Sequence, residues 1–297
     1  LRPYQRATWD NLVRQARSQE LSLTERQKIK VFGSDVSFRM VDFANRNAER
    51  AGVLDCIEFR GGDALQRMPP TQPGLMLVNP PYGERIEIVD AIGNQLNRGR
   101  LLATVTSLVA QTKASARIAV PVTAPSAVEC VVQARGGSVI RTKTDPRYMM
   151  TLASIPNEKI AFAGDMQGGF IFPEFHPAFD GPFALAKILE MLSWLQKPLH
   201  EVVAELPSIY MAQHEVPCPW QRKGAVMRAL TVEAQESDQN VELIDGVRLI
   251  KSANEWVLAL PDAAEPIFRV RAEGATLADA HDRAEEWAAK IRTLSAE

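Results

Sequence analysis

Asp35, Asp63 and the run Asn79-Pro80-Pro81-Tyr82 each close a short apolar stretch of this 297-residue chain. A carboxylate at the end of a strand can accept both hydroxyls of a ribose, which suits Asp35, and one such as Asp63 can accept from an adenine amino group. The Asn79 side-chain oxygen and the Pro80 carbonyl can together hold an exocyclic amine while Tyr82 stacks on the base, as enzymes acting on flipped-out bases require. An isolated acid at a strand end serves equally well as the N-cap of the next helix. Two consecutive prolines stop a strand and fix their neighbours, so chance explains that run poorly. A second constellation lies at 164–183, GDMQGGFIFPEFHPAFDGPF, where Asp165 and Gln167 sit among glycines and five phenylalanines follow. Either this loop packs against its own domain, or it presents amides and a carboxylate to a polar ligand.

The elements that must position these residues can be read from periodicity. KVFGSDV (30–36), CIEFRGGDA (56–64) and GLMLVNPPY (74–82) read as strands, with a helix over 38–51 stopped by Gly52. Strands alternating with a helix imply a parallel sheet with Asp35, Asp63 and Asn79 on its ligand-binding edge. From Ile88 strand and helix alternate again: an apolar helix from Leu101, strands at 116–122, 138–144 and 159–165, and a strongly apolar helix ending before Lys197. Proline-rich 199–221 reads as a linker. Beyond it come a short helix (224–233), a hairpin whose Asp245-Gly246 signals a type I′ turn, two further strands and a closing helix. The closing helix is expected to bury Ala280, Ala284, Trp287, Ala288 and Ile291.

Composition excludes several classes. A net charge of −2 supports no bulk attraction to nucleic acid or membrane, and no apolar run reaches a membrane span. Cys56, Cys130 and Cys218 form no CxxC pair, which argues against a zinc site or disulfide framework and suits a reducing cytoplasm.

GSDVSFRMVDFANRNAERAGV, GGDAL and LVNPPYGER resemble the S-adenosylmethionine-dependent methyltransferases that modify guanine N2 in large-subunit ribosomal RNA. The resemblance covers 1–87 and implies Asp35 on the cofactor ribose, Asp63 on its adenine, and Asn79, Pro80 and Tyr82 at an RNA base. The family's cofactor-wrapping glycine loop would precede Leu1, and its remaining strands do not follow NPPYGER, so this block is read as a fragment.

The remainder resembles the C-terminal domains of the α-D-phosphohexomutases (phosphomannomutase and phosphoglucomutase): a third-domain-like 88–198, the linker 199–221 and a fourth-domain-like 222–297. The expected fold class is α/β: a partial Rossmann-like methyltransferase half-sheet, an α/β phosphohexomutase-type domain and a C-terminal α+β domain. The resemblance implies sugar contact at Asp165 and Gln167, with a purely structural turn as the other reading. It also implies a phosphate loop at 260–266, here LPDAAEP, where only Glu265-Pro266 survives and Asp262 adds a repelling charge. Such degeneration resembles the mutase-like tails of mannose-1-phosphate guanylyltransferase-type proteins. A mutase's phosphoserine domain and magnesium loop would lie upstream of Ile88 and are replaced here, so a phosphoryl relay is not expected. The readings left open are a catalytically incomplete sugar-phosphate module, a methyltransferase fragment, and a homo-oligomerising module of a pyrophosphorylase. The join near 87–90 is compatible with a fusion, an interrupted gene product or an assembly error.

Overall fold

The computed structural model describes residues 6–18, 20–26, 28–62, 76–78, 85–90, 93–237 and 240–296. The chain divides into two compact units, Leu1–Gln72 and Pro73–Glu297.

The first unit opens with two helices, α1 (Arg6–Ser18) and α2 (Leu23–Arg26). Strand β1 (Val31–Asp35), helix α3 (Phe38–Ala51) and strand β2 (Ile57–Gly61) then form a βαβ element with β1 and β2 parallel. Gly52 ends α3 in the left-handed region at φ 69°, its N–H returned to Ala48 and Glu49, as a helix C-terminus favours. Ala48 is the only buried residue among those described here, while Val36 and Phe38 are 72% and 77% exposed. Two strands and a helix with so little apolar burial gain little from the hydrophobic effect.

The third expected strand does not extend this pair. β3 (Met76–Val78) runs antiparallel to β4 (Glu87–Val89), joined by a connection too short for the crossover that parallel neighbours need. Of the residues expected on a shared ligand edge, Asp35 closes β1, while Asp63 and Asn79 lie outside the described residues.

In the second unit, α4 (Arg98–Thr112) is buried along all of Leu101–Ala110, consistent with its lack of a polar face. Asn97 caps it, accepting the Arg100 N–H at 2.9 Å. The order continues with β5 (Arg117–Pro121), α5 (Ala127–Gln133), β6 (Ser138–Thr142), α6 (Pro146–Ser154), β7 (Ile160–Gly164), β8 (Phe170–Ile171) and α7 (Gly181–Leu195). The sheet order is β6-β5-β7-β8, parallel except for β8. Leu102, Leu108, Ile118, Phe162, Phe170 and Ile188 fill one core, which also takes in Ile86 and Ile88; Met149 and Ala153 of α6 join Ala119 and Ile171 in a second.

The stretch read as a linker is structured: α8 (Leu199–Ala204) is followed by β9 (Met211–Pro217), paired along its whole length with the strand Ile267–Glu273. β9 is an edge strand, where Pro217 costs no ladder hydrogen bond on the open side. The short helix expected next spans Trp220–Glu236 (α9), longer at both ends. Strands β10 (Asn240–Glu242), β11 (Val247–Ser252), β12 (Glu255–Pro261) and β13 (Ile267–Glu273) complete a five-stranded antiparallel sheet of order β10-β11-β12-β13-β9, and α10 (Leu277–Ala296) closes the chain. Gly246 does not take the positive φ of a type I′ turn; a Cβ there would lie 2.2 Å from the Ala259 carbonyl oxygen, so close approach explains the glycine. One sheet face packs Val257, Phe268 and Val270 against α9 and α10, while Trp256 and Leu258 on the other face meet Val122 of the α/β layer.

Candidate functional site

The turn between β7 and β8 is made by Asp165. Its Oδ1 accepts the N–H groups of Gln167 at 2.7 Å and Gly169 at 2.8 Å, and its own N–H donates to the Gly169 carbonyl at 2.9 Å. Gly168 stands at φ 86°, and a Cβ there would fall 2.2 Å from the Ile86 carbonyl oxygen. The same backbone crossing gives an Ile86 N–H to Gly168 carbonyl bond of 2.9 Å, so the loop is clamped from both sides. Phenylalanines lock the segment beyond the turn. Phe162 packs on Phe170 and Phe172 at ring separations of 5.6 and 5.2 Å, and Phe175 stacks on Phe183 at 4.2 Å. The loop thus packs on its own domain, and one carboxylate oxygen of Asp165 is committed to holding the turn.

Its other oxygen lies alongside Gly169. Burial pushes the Asp165 carboxyl up from its ordinary value, against the Gly169 and Gln167 amides and the nearby Arg85 and Arg98, which favour the charged form. Beside this turn opens a cleft of about 500 Å³ lined by Gln167, Arg85, Arg98, Gln95 and Glu87. Glu87 accepts from the Gln95 amide at 3.2 Å. The Arg85 and Arg98 guanidiniums make no hydrogen bond or ion pair with a described residue. Burial, with repulsion from Arg269 and then Arg98, lowers the pKa of half-buried Arg271 of β13, and its buried Nε has no hydrogen-bond partner among the described residues.

Sequence patterning does not single out these arginines. Arg85 closes the LVNPPYGER motif and Arg271 only alternates with the apolar residues of its strand, because clusters formed across long sequence separations leave no local pattern.

The loop at 260–266 is drawn together by Arg269. Its Nε donates to Asp262 at 2.8 Å and its NH2 group to Glu265 at 3.0 Å, while Glu215 of β9 completes the set. Exposed Glu265, a candidate for ligand contact, is thus spent on an intramolecular ion pair.

In the first unit, Asp35 ends β1, and its Oδ1 accepts the Ser37 N–H at 2.7 Å. Asp63, Asn79, Pro80 and Tyr82 lie outside the described residues. Among the described residues no group of three or more His, Cys, Asp or Glu is placed to hold a metal ion, and no helix is long and apolar enough to cross a membrane.

Two family models match. The RMKL-like methyltransferase domain (UPF0020) matches residues 3–144, and the phosphoglucomutase/phosphomannomutase alpha/beta/alpha domain III matches 99–210, overlapping the first. A probable phosphoglucosamine mutase of Methanopyrus kandleri is 30% identical over 224 residues, 75% of this chain and 48% of that protein. A ribosomal RNA large subunit methyltransferase K/L of Shewanella baltica is 45% identical over 85 residues, 29% of this chain and 12% of that protein. The chain thus spans about half the length of the mutase relative. Among solved structures, parafusin, a phosphoglucomutase of Paramecium, superposes with a TM-score of 0.68 at 12% identity, covering 98% of this chain and 63% of that one. A Burkholderia thailandensis phosphoglucomutase/phosphomannomutase family protein gives 0.63 at 19% identity, covering 89% and 63%.

Proposed function

We propose that the second unit is a phosphohexomutase-like module of sugar-nucleotide and carbohydrate metabolism that holds a sugar phosphate without converting it. The observation that carries this reading is the cleft beside the Asp165 turn, where Arg85, Arg98 and Gln167 line one wall and the only acids near the two guanidiniums among the described residues are Asp165 and Glu87, neither bonded to them. Guanidiniums suit a phosphate and the Gln167 amide a sugar hydroxyl; Asp165, which forms the adjoining turn, is the other sugar contact of this reading. Conversion would need a phosphoserine and magnesium, and the residues preceding the module are methyltransferase-like instead. The test is calorimetric titration of the whole chain with hexose and hexosamine phosphates and their unphosphorylated sugars. Saturable binding of the phosphates alone, lost in R85Q/R98Q with circular dichroism unchanged, supports the reading. Absence of binding to every sugar phosphate contradicts it.

The second reading, a fragment of an S-adenosylmethionine-dependent guanine-N2 methyltransferase in residues 1–87, is favoured by the 45% identity to the Shewanella baltica enzyme. Its cofactor would be S-adenosylmethionine and its partner RNA. Calorimetric titration with S-adenosylmethionine tests it; a flat trace counts against it.

A further inference from the structure

We infer that the β12–β13 loop is an anion cradle already occupied by the chain's own Asp262 carboxylate. Asp262 Oδ1 accepts the N–H groups of Ala264 at 2.8 Å and Glu265 at 2.9 Å, while Oδ2 receives Arg269 Nε at 2.8 Å. Two convergent backbone amides and a guanidinium are the donors that a bound oxyanion uses.

The donors are held by a frame that does not depend on the carboxylate. Lys223 of α9, 9% exposed, donates through Nζ to the carbonyls of Asp262 and Glu265 and lies 3.8 Å from the Trp220 ring. The Asp262 N–H donates to the Ile267 carbonyl at 3.0 Å, and the Cys218 N–H to the Pro266 carbonyl at 2.8 Å. The loop is therefore pinned at both ends and from beneath, with Ala263 to Pro266 open to solvent. The hydrogen bond from Arg269, helped by the Ala264 and Glu265 amides, holds the Asp262 carboxyl below the ordinary carboxylate range, so it stays charged.

Charge also excludes a second anion. Asp262, Glu265 and Glu215 surround the single Arg269 guanidinium. An incoming phosphate would meet an excess of negative charge and find both amides and the Nε taken. This inference concerns a different loop from the proposed sugar-phosphate cleft and stands whether or not that cleft is filled.

The test is titration of the ¹⁵N-labelled full chain with inorganic phosphate, followed at the Ala264 and Glu265 amides. The wild-type amides are expected not to move. D262S, which removes the resident anion, is expected to show saturable shifts and to bind phosphate about tenfold or more tightly than wild type, and adding R269Q to it should abolish the gain. D262G, which leaves no side-chain acceptor for the two amides, serves if D262S fails to fold. Phosphate-dependent shifts of these two amides in wild type overturn the inference. So does a folded D262S or D262G whose amides ignore phosphate.

Discussion

Glu273 of β13 accepts the backbone N–H of Ser126 at 2.9 Å, joining the antiparallel sheet to the segment that opens α5, 147 residues earlier in the chain. The same carboxylate oxygen accepts the Trp256 indole N–H at 2.5 Å, and Glu273 is 2% exposed. A second bond of this kind runs from the Thr144 N–H to Asp245 at 2.9 Å. Two acids of the C-terminal sheet thus satisfy buried or half-buried donors of the α/β layer.

Truncating Glu273 leaves the Ser126 N–H unpaired and the Trp256 indole N–H with the Ser126 hydroxyl oxygen alone, at 3.1 Å. E273A is expected to destabilise the second unit by about 2 kcal/mol, since a buried unsatisfied donor costs roughly 1–3 kcal/mol. Urea unfolding followed by intrinsic tryptophan fluorescence measures it, and a loss within error of zero contradicts the assigned role.

Burial raises the Glu273 carboxyl, with the Ser126 and Trp256 hydrogen bonds only partly opposing it. The folded state then keeps its proton at pH values where the unfolded chain has lost it. The Glu273 contribution therefore favours folding at low pH and is lost as pH rises from the ordinary carboxylate value through the raised one. E273Q should flatten that part of the stability–pH curve; an unchanged curve would assign the dependence elsewhere.

Gly168→Ala meets both a positive φ of 86° and the Ile86 carbonyl oxygen at 2.2 Å. The expected cost is about 3 kcal/mol, the range of steric strain at a special backbone position. Thermal unfolding of G168A checks it, and a neutral result would mean that the β4 crossing yields easily.

Asp165 separates turn-holding from ligand contact. D165A removes the acceptor for the Gln167 and Gly169 amides and should cost about 2 kcal/mol, whereas D165N keeps one acceptor oxygen and should cost less. If Asp165 also receives a sugar hydroxyl, D165N weakens binding of hexose phosphates while remaining folded. Equal binding by D165N and wild type would leave the residue a turn former alone.

Much of the architecture is legible in the sequence because it rests on local periodicity. The face Ala280, Ala284, Trp287, Ala288 and Ile291 of α10 is buried as its spacing implies, and Gly52 ends α3. The α/β phosphohexomutase-type layer and the α+β C-terminal layer stand as expected, and both resemblances match family models. The errors fall where pairing is set at a distance. β3 reads as a strand of a parallel sheet, yet its partner is fixed by the short return to β4. The strand within 199–221 is hidden by its flanking prolines, because an edge position tolerates them. In the candidate site, Asp165 and Gln167 are visible as polar residues among glycines, but the arginines beside them come from β4's approach, α4 and β13 and share no motif.

Limited proteolysis probes the contrast between the units. With Ala48 alone buried among the described residues of the first unit, cleavage should begin before Gln72 and spare the second. Equal resistance along the chain would contradict that contrast.

The most direct test of the central claim joins calorimetry with a turnover assay on the same preparation of the full chain. Binding of a hexose or hexosamine phosphate, abolished in R85Q/R98Q, with no interconversion of its 1- and 6-phosphates, is the result predicted. Measurable interconversion, or no binding of any sugar phosphate, would contradict it.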